Sequence, residues 1–126
     1  MQNRVKLCPV AEFPAQGAKG FDLSNRGIDT VFVVKDATGF HAYLNSCPHV
    51  NGASLPWKKD AYLDSSGNEI VCSAHGARFE TATGLCISGP CKRMSLTRIP
   101  LFVDENNEIC IQYDAFSAVN ALSALA

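Results

Sequence analysis

Two short segments restrict this chain more than any other feature: Cys47-Pro48-His49 and Cys72-Ser73-Ala74-His75. Residues 50–71, which separate them, hold no further cysteine or histidine. Two thiolates and two neutral imidazoles make a four-ligand metal set, so the fold has to bring two distant loops to one point. A single zinc ion accepts such a set in tetrahedral geometry. A [2Fe–2S] cluster accepts it too, with two His replacing two Cys on one iron. In C2H2 fingers the two Cys form one pair and the two His another. Here each segment carries one Cys and one His. A binuclear cluster explains that arrangement, because each loop then sends its Cys to one iron and its His to the other.

The rest of the composition is consistent with an ordinary globular domain. A length of 126 residues fits one domain that can bury a core of its own. Hydrophobic residues make up 47%, charged residues 18%, and the net charge is −1. That balance speaks against a nucleic-acid partner, which needs a concentrated basic face. The opening MQNRVKLCPV has no apolar stretch of signal-peptide length, and TVFVV (residues 30–34) is too short to span a membrane. The expected location is the cytoplasm, with no membrane partner. In that reducing compartment six cysteines point to metal or redox chemistry rather than disulfides.

Along the chain, alternating or β-branched runs predict strands at Val5–Cys8, Thr30–Lys35, Phe40–Asn45, Glu69–Cys72, Ala77–Glu80, Gly84–Ile87, Ser95–Pro100 and Glu108–Gln112. Turn residues separate them at 25–27, 36–39, 65–68, 81–84 and 104–107. Short strands at this spacing, without a long amphipathic helix, predict an all-β sandwich or barrel. The Ala-, Ser- and Leu-rich end, residues 113–126, reads as either a short helix or a disordered tail.

Flanking residues add to the paired motif. Pro48 stiffens the first loop, Gly76 directly follows the second His, and Gly89-Pro90 supplies a third tight turn. The segments CPH, CSAHGARF, the following Thr83-Gly84 and the Gly89-Pro90 turn together resemble the Rieske iron–sulfur family, with a matching strand pattern from about residue 5 to residue 112. The resemblance implies antiparallel sheets forming a sandwich or barrel-like base over residues 1–112, with a cluster-binding subdomain at about 46–91. It implies one [2Fe–2S] cluster held by Cys47 and Cys72 on an inner iron and by His49 and His75 on an outer one, shielded by the Gly–Pro turn. Exchanging two thiolates for imidazoles raises the potential from roughly −400 mV to between about −150 and +300 mV.

The departures from the family's respiratory branch carry information. Respiratory subunits join their two cluster loops by a disulfide, whose equivalent positions are Gly52 and Ala74 in this chain. They also place a Ser and a Tyr, with hydroxyls bonded to the cluster or its ligands, where this chain has Ala77 and Phe79. A low-potential, ferredoxin-type centre is therefore expected. The loop between the motifs is longer than in typical Rieske ferredoxins, with the extra length expected within residues 55–69.

The role implied is a one-electron carrier between a reductase and an oxygenase or other redox enzyme. A small Rieske-like subunit of a larger oxidoreductase, such as nitrite reductase, and a zinc-stabilised binding module are the alternatives. The chain contains no phosphate loop, no G-x-S-x-G elbow and no second His and carboxylate set for a mononuclear iron, so no substrate-converting site of its own is expected. Cys8 and Cys110 read as core. Cys86 and Cys91 read as half-buried thiols, with a disulfide between them the other option. His41 reads as a surface or edge histidine, and Trp57 as packing for the loop extension. Lys58, Lys59, Arg78, Lys92 and Arg93 read as part of a mixed charged surface rather than a steering patch.

Overall fold

The computed structural model describes residues 3–13, 17–48, 54–56, 58–73, 76–90 and 93–113. Ten strands run through them: β1 (Asn3–Pro9), β2 (Gly17–Phe21), β3 (Val31–Asp36), β4 (Gly39–Leu44), β5 (Glu69–Val71), β6 (Arg78–Glu80), β7 (Cys86–Ser88), β8 (Arg98–Ile99), β9 (Leu101–Val103) and β10 (Glu108–Tyr113). A single 3-10 turn, Val10–Glu12, follows β1. Among the described residues no helix is long and apolar enough to cross a membrane.

The strands form three antiparallel sheets with orders β1-β10-β9, β2-β3-β4-β8 and β5-β6-β7. The middle sheet explains the run Val31-Phe32-Val33-Val34, all four fully buried. Successive strand side chains point to opposite faces. Val31 and Val33 accordingly join Ala42, Leu44, Ile109 and Ile111 in one core, while Phe32 and Val34 join Tyr43, Leu55, Tyr62 and Phe79 in another. The first core is shared with the β1-β10-β9 sheet and the second with β5-β6-β7. An uninterrupted apolar strand is what a sheet covered on both faces requires.

The middle sheet is tied to the β5-β6-β7 sheet by polar contacts as well as packing. Asp36, at the end of β3, accepts hydrogen bonds from the Thr81 hydroxyl at 2.6 Å, the Thr38 hydroxyl at 2.6 Å and the Thr38 amide at 2.8 Å. The Tyr43 hydroxyl donates to the Thr81 carbonyl at 2.7 Å.

Two strands, β2 and β9, lie outside the runs that the sequence pattern predicts. Gly17–Phe21 has two glycines and a lysine, and Leu101–Val103 follows directly on Pro100. Both are strands because a partner is presented to them, β3 for the first and β10 for the second. His41 is also a correction. It is buried, and β4 is an inner strand between β3 and β8. The β3–β4 turn accounts for this by supplying polar partners: His41 Nε2 lies 2.8 Å from the Thr38 hydroxyl oxygen and 3.1 Å from Asp36 Oδ1. The Thr38 hydroxyl already donates to Asp36, so Nε2 is the protonated nitrogen. Nδ1 is buried and has no hydrogen-bond partner among the described residues.

Candidate metal centre

Cys47 lies three residues after β4, and Cys72 directly follows β5. Both side chains are fully buried in the core shared by the second and third sheets, with Leu55, Ala77 and Phe79 in the same cluster. Neither is in a disulfide. Cys86 belongs to the same cluster, but its thiol is bonded to the Ser88 carbonyl; Cys47 and Cys72, contributed by two loops, are the donor pair suited to a soft metal centre. His49 and His75 lie outside the described residues, as do Gly52, Trp57, Ala74, Cys91, Lys92 and residues 114–126.

The backbone around the two cysteines accounts for how the loops meet. After β4 the chain turns sharply, with the Ser46 amide donating to the Leu44 carbonyl at 2.9 Å. After β5 the Cys72 amide donates to the Ala77 carbonyl at 2.9 Å, and the Gly76 amide returns to the Cys72 carbonyl at 2.8 Å. These bonds close the second loop on itself, and Gly76 takes the left-handed φ of +72° that the closure needs. A further bond joins the loops: the Ser73 amide donates to the Leu55 carbonyl at 2.8 Å.

Leu55, Lys59 and Tyr62 lie against the middle sheet. Tyr62 stacks on Phe32 with ring centroids 4.1 Å apart, and its hydroxyl donates to Asp29 at 2.8 Å. Lys59 Nζ lies 3.0 Å from both Asp29 Oδ1 and Asp60 Oδ1, and donates to the Gly20 carbonyl at 2.7 Å. Arg78 pairs with Asp64 at 2.9 Å and Glu69 at 3.0 Å. Lys59 and Arg78 are thus matched by carboxylates, as a mixed charged surface requires. Cys86 is a buried thiol donating to the Ser88 carbonyl at 3.2 Å, and Cys8 and Cys110 are buried as expected. The hydrogen-bonding roles of Asn45 and Asp29 leave no mark in the sequence, where an isolated Asn or Asp carries no signal.

Comparison with known proteins agrees with this geometry. The Rieske [2Fe-2S] domain family matches residues 3–105. No curated protein sequence matches. Among solved structures, the ferredoxin of carbazole 1,9a-dioxygenase from Nocardioides aromaticivorans IC177 superposes with a TM-score of 0.67 at 25% identity, covering 89% of this chain and 99% of its own. A chain from the complex of reduced oxygenase and oxidized ferredoxin in carbazole 1,9a-dioxygenase gives 0.63 at 27% identity, covering 85% and 99%. A protein described as an NADH-dependent nitrite reductase small subunit from Mycobacterium tuberculosis gives 0.63 at 19% identity over 91% and 98%, a likeness of fold. With two buried cysteines on hydrogen-bonded loops and a family match over most of its length, the chain belongs to the Rieske [2Fe-2S] domain family, whose cofactor is a [2Fe–2S] cluster.

Proposed function

We propose that the chain is a one-electron carrier in which Cys47 and Cys72 bind the inner iron of the cluster and His49 and His75 the outer. The observation that carries this reading is the pair of fully buried cysteines on two loops joined by the Ser73–Leu55 hydrogen bond. The cluster, when bound, supplies the one-electron redox chemistry. The chain's own residues hold the loops and keep water away. Leu55, Ala77 and Phe79 give the cysteines an apolar surround, and the Gly89-Pro90 turn rests on Ala77.

The potential follows from the same residues. Ala77 and Phe79 are fully buried beside the cysteines and offer no side-chain donor there. Without hydroxyl donors the more negative reduced state gains no extra stabilisation, and the centre is of the low-potential ferredoxin type. The partners are a reductase that supplies the electron and an oxygenase or other terminal acceptor that takes it, in the cytoplasm. The likeness to two dioxygenase ferredoxin structures supports this role over that of a nitrite reductase subunit.

Anaerobic purification followed by iron, sulfide and zinc assays and EPR of the reduced protein tests the reading. Two irons and two sulfides per chain with an EPR signal on reduction are expected. A colourless, zinc-loaded protein would overturn it in favour of a zinc-stabilised module.

A further inference from the structure

We propose that Asn45 is the positioning residue that holds the Cys47 loop and the Cys72 loop in register. It is buried, two residues before Cys47, and both its amide nitrogen and its amide oxygen are bonded. Nδ2 donates to the Asp29 carbonyl and to the Ser54 hydroxyl oxygen, each at 2.9 Å. Oδ1 accepts the Leu55 amide at 2.9 Å. One side chain therefore brackets residues 46–54, fastening the end of the first loop to its beginning.

The same contact reaches the second loop. Leu55, whose N–H is held by Asn45, uses its carbonyl to accept the Ser73 amide, one residue after Cys72. A hydrogen-bonded path thus runs from the residue before Ser46, through Leu55, to the residue after Cys72. Its origin is anchored in turn. The Asn45 amide donates to the Thr30 carbonyl at 2.9 Å, and Asp29 is gripped by Tyr62 and Lys59. A primary amide suits this position because it supplies a donor toward the Asp29 carbonyl and an acceptor toward the Leu55 N–H at once. A carboxylate would face the Asp29 carbonyl with a second oxygen. Alanine would leave the Leu55 N–H and the Asp29 carbonyl without their partner.

This inference rests on the ligand assignment above, and its test separates the two. Asn45→Asp and Asn45→Ala are compared in the holoprotein with a variant in the far core, Ile111→Ala or a milder Ile111 substitution, chosen for an equal fall in Tm. The Asn45 variants should release iron to a chelator about tenfold faster than wild type and shift the EPR g values, or fail to retain the cluster. The Ile111 variant should retain the cluster with an unchanged spectrum. Asn45 variants that match the Ile111 variant in release rate and spectrum would overturn the proposal. If Asn45→Ala does not fold, Asn45→Asp alone decides. A wild-type protein without iron and sulfide would overturn the ligand assignment instead. Hydrogen exchange at the Leu55 and Ser73 amides would then decide the positioning role: faster exchange in Asn45→Asp than in the Ile111 variant supports it, and equal exchange refutes it.

Discussion

A β-carbon built on Gly89 would stand 2.9 Å from the Ala77 Cα, closer than side chains pack, and Gly89 itself has a φ of +93°. The Gly89-Pro90 turn is thus seated directly on the segment that leaves the second cysteine loop. Gly89→Ala has to lift the turn and also adopt a strained backbone. A loss of about 1–3 kcal/mol is expected, with faster bleaching of the cluster by a chelator. Thermal unfolding and visible absorbance of the holoprotein check both, and a variant as stable and as slow to bleach as wild type would refute the role of this contact.

Ala77 and Phe79 set the second prediction. A hydroxyl placed at either position can donate toward cluster sulfur or a ligand thiolate, which stabilises the reduced state. Ala77→Ser and Phe79→Tyr should each raise the midpoint, on the order of 60 mV for a bond about 1.4 kcal/mol stronger on reduction. Redox titration followed by circular dichroism measures this. A midpoint that does not rise in either variant would mean that the new hydroxyls do not point at the centre.

Cys47 and Cys72 stood out in sequence because each has a histidine at short spacing, and the fold buries both in one core. Most strands were legible for a similar reason, since Thr30–Lys35 and Phe40–Asn45 carry their own β-branched or alternating pattern. Gly17–Phe21 has no such pattern and becomes a strand only against β3. His41 looked like a surface residue because its partners, Asp36 and Thr38, act through the shape of the turn. Asn45 was invisible for a different reason. Its role depends on Asp29, Ser54 and Leu55, which meet it only after the sheets and the loop have folded.

Asp36 and Asp64 make stability depend on acid pH. Burial opposes ionisation of Asp36, yet the hydrogen bonds from Thr38, Thr81 and His41 outweigh it and hold the carboxyl well below its ordinary range. The Ser66 hydroxyl and then Arg78 hold Asp64 down to about 2. Carboxyls depressed in the folded state stabilise it above the unfolded value, about pH 4, and lose that contribution as pH falls through the folded value. Urea midpoints should therefore drop steadily below about pH 4. Asp36→Asn should be less stable at pH 7 by about 1–2 kcal/mol and should show a shallower acid limb. An equally steep limb in that variant would assign the acid sensitivity elsewhere.

Tyr62 and Lys59 both hold Asp29, and their surroundings predict unequal contributions. The Tyr62 ring is fully buried against Phe32, and burial first, then the bond to Asp29, pushes its hydroxyl pKa up. Lys59 is 62% exposed, so its ion pairs with Asp29 and Asp60 are screened by solvent. Tyr62→Phe keeps the stacked ring and removes one buried bond to a carboxylate, for an expected loss of about 1.5–3 kcal/mol. Lys59→Met, which keeps an apolar stem, should lose less than about 1 kcal/mol, and that loss should shrink further in high salt. Because both side chains converge on one carboxylate, the double variant should depart from additivity. Chemical unfolding of the four proteins at low and high salt measures all three quantities. A larger loss from Lys59→Met than from Tyr62→Phe would mean that the exposed ammonium, rather than the buried hydroxyl, anchors residues 58–63 to Asp29.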